Sequence, residues 1–206
     1  MWTVTIKRPD IANIVRSTAK FWENPGVVHK KAVEKILPFV LRTANLGITY
    51  GGKDSGIEML AYADSDHATC PDTRRSVSRG AVLLAGGAIS WHSRTQEITA
   101  STSSELEYVT LAETLKYVRC PRQMEAFIMP TLESYSVTVM EDNQGGIKMA
   151  NSKRTGHIDV KHHVVRNAVD EGKVTIVYVE TGSQHADVLT KGLEKNTFLG
   201  NDSFSR

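Results

Sequence analysis

The chain has 206 residues, 40% of them hydrophobic and 23% charged, with a net charge of +2; this fits one ordinary domain, or a domain with an appendage, able to bury a core. No apolar run approaches the roughly 20 residues of a membrane helix, and the opening MWTVTIKRPD lacks an apolar signal-peptide core, so neither a membrane protein nor a secreted one is expected. An intracellular chain, in cytoplasm or nucleus, is the expectation, and Cys70 and Cys120, without CxxC spacing, imply neither a disulfide framework nor a thiolate zinc site.

Residues 1–58 carry nine Lys or Arg against five Asp or Glu, a charge of +4 that leaves −2 for the remainder, a balance compatible with nucleic acid. Helical composition runs from Asp10 to Trp22 and from Val27 to Leu41, split by the turn signal Glu23-Asn24-Pro25-Gly26. Pro38 is expected to interrupt the second helix, since an interior proline costs roughly 3 kcal/mol. Gly47, Gly51, Gly52 and Gly56 then mark a linker-like region.

Strands begin with MLAYAD at Met59, and the next strong signal is a hairpin. Residues 80–85 and 88–92 flank Gly86-Gly87, two glycines able to supply the positive φ angles of a two-residue turn. In STSSELEYVTLAETLKYV, Thr102 and Ser104 each precede a Glu by three residues, a capping-box spacing, and Tyr108, Leu111, Ala112, Leu115 and Val118 follow at helical intervals. An amphipathic helix therefore opens near Thr102, and Pro121 is expected to end or kink it.

Ser136 to Met140 reads as a strand leading into Glu141-Asp142-Asn143-Gln144, residues 158–171 as a helix stopped by Gly172, residues 173–179 as a strand, and residues 184–191 as a short last helix. This order, with its hairpin, predicts an α/β sheet that is not purely parallel.

Asp64 and Asp142 stand where predicted strands give way to loops, and Asp187 stands near the start of the last helix. If the strands are neighbours, these acids meet at one sheet end, joined by Glu105 or Glu107 from the amphipathic helix. At about 100° per residue the apolar stripe centres near Leu115, and the two glutamates lie roughly 80° from it on opposite edges, so spacing leaves both open. Three or four carboxylates with no compensating base would repel one another, and hard divalent cations with oxygen ligands, Mg²⁺ or Mn²⁺, resolve that conflict. Two such ions about 3.5–4 Å apart can activate water and stabilise the leaving oxygen of a phosphodiester.

The segments YADSDHATCPDTRRSVSRG, GGAISWHSRTQ, STSSELEY, EDNQGGIKMAN, RTGHIDVKHHVVR and SQHADVLTKGL occur in an order that resembles the ribonuclease H domain of copia-type LTR retrotransposon Pol polyproteins. Upstream, KRPDIANIV and NPGVVHKKAVEKIL resemble the tail of the reverse transcriptase that precedes that domain, without its polymerase core. The resemblance implies a ribonuclease H-like mixed sheet flanked by helices, with an N-terminal helical appendage. It divides the chain into a helical reverse transcriptase tail or connection segment at 1–58, a ribonuclease H-like domain at 59–193 and a C-terminal tail at 194–206.

By the same resemblance Asp64 is the first catalytic acid, Glu107 before Tyr108 is preferred over Glu105, Asp142 of the DNQ motif is the third and Asp187 of the AD motif the fourth. All four would hold two Mg²⁺ or Mn²⁺ ions, with Asp64 bridging them, water as nucleophile and no covalent intermediate. The implied reaction is hydrolysis of the RNA strand of an RNA/DNA hybrid, the implied partners are that hybrid and the reverse transcriptase core of the parent polyprotein, and Asp66 is a neighbour rather than a ligand.

Arg74, Arg75, Lys153, Arg154, Lys161 and Arg166 are candidate phosphate contacts. His157, His162 and His163 do not offer the i, i+4 spacing of a helical zinc site; His157 and His163 read as structural or close to substrate. His185 reads as a helix-start residue and Trp91 as core. Three departures from the family pattern stand out: Cys120-Pro121 replaces a Trp-Leu pair, Pro38 falls where no proline is expected, and Gly156 falls where Lys is usual. They raise the alternative of a catalytically decayed nucleic-acid-binding or connection fragment.

Overall fold

The computed structural model describes residues 2–51, 57–66, 75–96, 102–130, 135–152, 163–184 and 186. In chain order these form α1 (Trp2–Ile6), a 3-10 turn (Pro9–Ile11), α2 (Ala12–Ala19), α3 (Val27–Arg42), β1 (Met59–Asp66), β2 (Val77–Leu84), β3 (Gly87–Thr95) and α4 (Ser103–Ile128). Then follow β4 (Val137–Glu141), α5 (Gln144–Asn151), α6 (His163–Asp170), β5 (Val174–Tyr178) and a 3-10 turn at Thr181–Ser183. The strands make one five-stranded sheet in the order β3-β2-β1-β4-β5. β1 pairs antiparallel with β2, and β2 with β3, whereas β1 with β4 and β4 with β5 are parallel. This is a mixed sheet flanked by helices, as the order of the predicted elements leads one to expect.

Alternation along the strands decides what each face buries. Met59, Ala61 and Ala63 of β1 join Val82, Val137, Val139 and Val174 on one face, where Tyr108, Leu111, Ala112, Leu115 and Val118 of α4 cover them. On the other face Tyr62, Ala81, Leu83 and Ala88 meet Ala12 of α2, with Val4 of α1 and Trp91 packed alongside. The Trp91 indole donates to the Val4 carbonyl at 2.8 Å, and Arg16 of α2 donates to Thr95 Oγ1 at 3.3 Å. The N-terminal helices thus supply the second covering layer of the sheet. α1 itself carries no signal in the sequence reading; Trp91 and Val4 make it through packing.

The KRPD segment is fastened by Arg8, which is buried against Asp10 (2.6 Å) and donates to Thr43 Oγ1 at 2.6 Å, tying the end of α3 to the entry of α2. α3 otherwise buries no residue and exposes Val33, Leu37 and Leu41 at intervals of four.

Neither proline ends its helix. α3 runs through Pro38 and α4 runs through Pro121 without ending. A proline removes one backbone donor, and the helix survives when side-chain anchors beyond it outweigh that loss. For α4 the anchor is visible: buried Glu125 accepts from Arg122 Nη1 and from the Tyr135 hydroxyl, both at 2.6 Å, so the turns after Pro121 are tied to the segment that enters β4.

The hairpin turn also shifts by one residue. Leu84 faces Gly87, so the turn is Ala85-Gly86, with φ of 49° and 79°. Both angles are positive, as the twist-matched two-residue turn requires, and Ala85 tolerates the left-handed region there. Gly87 instead opens β3, where a Cβ would run into the Tyr50 ring. α5 is a further helix absent from the sequence reading, because Gly145-Gly146 masks it; Asn143 caps it, its side chain accepting from both glycine amides at 2.8 and 3.1 Å.

Candidate metal centre

The topology brings the acids together. β1 and β4 are parallel neighbours with Tyr62 level with Met140, and two more residues along each strand carry Asp64 and Asp142 to the same height at their C-terminal ends. β3 ends at that side of the sheet, so α4 starts there and runs back down. Thr102 caps it by accepting from the Glu105 amide at 3.2 Å.

A buried polar knot fixes the first turns of α4. Gln96 donates to Ser78 Oγ at 2.8 Å, and the Thr110 hydroxyl lies 2.9 Å from the same oxygen. Glu107 then faces the strand ends. Asp64, Glu107 and Asp142 each offer a carboxylate oxygen within 4.8 Å of the others. Glu105 lies half-buried one turn edge away and does not join them. The start of α5 closes in from the side: a Cβ on Gly146 would stand 3.0 Å from the Glu107 Cβ, and one on Gly145 would collide with Ser104.

Electrostatics make this a strained group of acids. Burial pushes the Glu107 carboxyl up to about 8, helped by Asp64 and Asp142, while the Ser65 hydroxyl and Arg79 oppose the rise. One Glu107 oxygen is buried with no hydrogen-bond partner. Such an orphaned oxygen costs free energy unless a cation or proton meets it. The donor set is all carboxylate oxygen, which suits a hard divalent cation.

Two residues of this centre escaped the sequence reading. Glu141 is fully buried, and burial first, then the nearby Glu107 carboxylate, pushes it up to about 10. One oxygen accepts from the Asn143 amide at 3.1 Å and the other has no partner. Its signal was available, since Glu141 shares the parity of Val137 and Val139, which face α4.

The second is Arg79. The expectation of a cluster without a compensating base is corrected here: Arg79 stands opposite Asp64 in the β1–β2 register, donates to Asp64 Oδ2 at 2.8 Å and extends its other arm to Asp66. β2 opens at Val77, three residues before the apolar run at Gly80 that marks it in the sequence, and so includes Arg79. The two carboxylates that end β1 are thus bridged by one guanidinium.

Of the remaining candidates, Arg75 is exposed beside β2, and Arg166 is half-buried on α6, with its charge close to the Tyr108 hydroxyl. Asp187, Arg74, Lys153, Arg154, Lys161, His157, His162, His185 and Cys70 lie outside the described residues. The approach to Asp187 is described: Gln184 is buried and donates to the Ala63 carbonyl at 2.8 Å, and Ala186 is buried in the second core. His163 opens α6 half-buried, and Cys120 is exposed and free. A groove of about 650 Å³ between α4 and α6, lined among others by Val118, Arg122, Tyr135 and Val174, lies at the opposite end of the sheet from the acids. No helix among the described residues is long and apolar enough to cross a membrane.

No protein-family model matches the chain. Among curated proteins it is 33% identical to the "Retrovirus-related Pol polyprotein from transposon TNT 1-94" of Nicotiana tabacum, over 96% of this chain and 15% of that polyprotein. To the "Retrovirus-related Pol polyprotein from transposon RE1" of Arabidopsis thaliana it is 32% identical, over 93% of this chain and 13% of that one. Among solved structures it is similar to ribonuclease H1 from the archaeon Halobacterium salinarum, with a TM-score of 0.42 and 16% identity over 64% of this chain and 93% of that chain. The chain spans only about 13 to 15% of the length of the two curated polyproteins. With about a third of its residues shared along nearly its whole length, the chain is similar to one short segment of the retrovirus-related Pol polyproteins of plant copia-type transposons.

Proposed function

We propose that this chain is the ribonuclease H-like part of a retrotransposon polyprotein and hydrolyses the RNA strand of an RNA/DNA hybrid, with Asp64, Glu107, Asp142 and Asp187 holding two Mg²⁺ or Mn²⁺ ions. The observation that carries the reading is the convergence of Asp64, Glu107 and Asp142 from β1, α4 and the end of β4 to within 4.8 Å. The buried, unpartnered Glu107 oxygen supports the fit, because it offers a lone pair to a cation that no protein donor uses. When bound, the ions lower the pKa of a water and stabilise the leaving oxygen.

The chain's own groups do the positioning. Arg79 orients Asp64, Ser65 hydrogen-bonds Glu107, and Asn143 caps α5 directly after Asp142. Arg75 and Arg166, with Arg74, Lys153, Arg154 and Lys161, would meet hybrid phosphates, so affinity should fall as salt rises. The proposal includes a division into a reverse transcriptase tail at 1–58, the ribonuclease H-like unit at 59–193 and a tail at 194–206, with the polymerase core of the parent polyprotein as a partner.

The test is cleavage of a labelled RNA/DNA hybrid by the purified chain in Mg²⁺, beside EDTA, an Asp64→Asn variant and an RNA duplex. Cleavage of the hybrid alone, absent in EDTA and in the variant, is expected; a folded chain that leaves the hybrid intact overturns the proposal. The grip of Arg79 on Asp64 favours a second reading, a nucleic-acid-binding or connection fragment without catalysis. Hybrid binding with no metal-dependent cleavage would establish that one.

A further inference from the structure

We infer that Arg79 is a built-in counter-cation of the acidic centre, a positioning residue that holds Asp64 and competes with divalent metal for its carboxylate. The inference rests on the metal-dependent reading above. Arg79 is opposite Asp64 across the β1–β2 pair, and the two side chains are 7% and 10% exposed. The guanidinium donates to Asp64 Oδ2 at 2.8 Å, and Asp64 is one of the three residues whose oxygens converge within 4.8 Å. Charge-assisted bonds of this kind are roughly twice as strong as neutral ones, and burial keeps water from replacing either partner.

A cation arriving at Asp64 must therefore weaken an ion pair already made. Asp66 gives the guanidinium somewhere to go. Its side chain is 38% exposed and already takes the second arm, so Arg79 can keep one carboxylate while yielding the other. A residue of this kind sets the concentration at which metal loads, and it keeps Asp64 from being an uncompensated buried charge until then. Its charge opposes those of Asp64 and Asp142 at Glu107, so its removal changes the field at the converging oxygens.

The experiment is Mn²⁺ titration of the whole chain followed by electron paramagnetic resonance of free Mn²⁺, with folding checked by circular dichroism. Arg79→Gln is expected to bind Mn²⁺ about tenfold more tightly than the natural chain, the factor that one charge-assisted hydrogen bond carries. Arg79→Lys is expected between the two, since its ammonium keeps the charge and loses the two-armed bridge. Asp64→Asn is expected to lose the tight binding in either background. A merely structural arginine would lower stability in both variants without tightening the metal. If the natural chain binds Mn²⁺ and a folded Arg79→Gln binds no tighter, the inference falls while the metal reading stands. If neither binds at millimolar Mn²⁺, both fall. Should Arg79→Gln not fold, Arg79→Lys decides: tighter binding supports the inference, and equal or weaker binding overturns it.

Discussion

Glu141→Gln offers a direct test of how the acidic centre is held together. Burial pushes the Glu141 carboxyl from 4.5 up to about 10 and Glu107 up to about 8, so the folded, metal-free chain keeps a proton that the unfolded chain has lost by neutral pH. A folded-state pKa raised above the unfolded value contributes stability that is fully present below about pH 4.5 and drains away as pH rises through the folded value. Between about pH 6.5 and 8.5, one proton retained by the pair corresponds to roughly 3 kcal/mol of lost stability. For a chain of this size that is a fall in melting temperature of about 5 to 10 °C. The amide of Glu141→Gln keeps an acceptor for the Asn143 amide and has no charge to suppress, so its melting temperature should fall less steeply over the same range, with only Glu107 still titrating, and exceed that of the natural chain at pH 8.5. Thermal melts in EDTA at three pH values measure both slopes. Parallel slopes, or a natural chain whose stability rises with pH, would refute the reasoning.

Further outcomes follow from the packing. His92 is buried, stacked on Tyr117 at 4.4 Å and lowered to about 4 chiefly by burial, so its contribution is present above the unfolded value of 6.5 and lost as pH falls toward 4; His92→Leu should flatten the acid side of the pH–stability curve. A Cβ at Gly80 would collide with the His92 ring and Thr114 Oγ1, so Gly80→Ala should cost about 1–3 kcal/mol in urea denaturation. Gly146→Ala would push on Glu107, whose Cβ lies 3.0 Å from the added methyl, and should weaken Mn²⁺ binding severalfold in titration with little change in melting temperature. Glu125→Ala strips Arg122 and Tyr135 of their shared partner and should cost about 2–3 kcal/mol, with faster hydrogen exchange in α4 beyond Pro121.

Local patterns carried most of the element list. The capping-box Thr102 and the helical recurrence of Tyr108, Leu111, Leu115 and Val118 are one-dimensional signals, and α4 begins where they place it. The strand that carries Asp64 and the one that leads to Asp142 are equally legible, because each is a short, largely apolar run of strand length. Where a local rule misled, a nonlocal contact outweighed it. The Pro121 penalty is offset by Glu125 gripping Arg122 and Tyr135, and the glycine-rich start of α5 is offset by the Asn143 cap and by close approach to Glu107.

The sequence by itself determined which oxygens are available, because ordered motifs with Asp at strand ends and Glu in a helix's first turns need no coordinates to read. Only the tertiary structure decided which of them meet and under what charge. Glu107 was separated from Glu105 by the placement of α4 across the sheet, Glu141 was turned inward beside it, and Arg79 was set against Asp64 by the register of β1 and β2. Register and helix placement arise from the whole core closing at once, so no window of neighbouring residues encodes them.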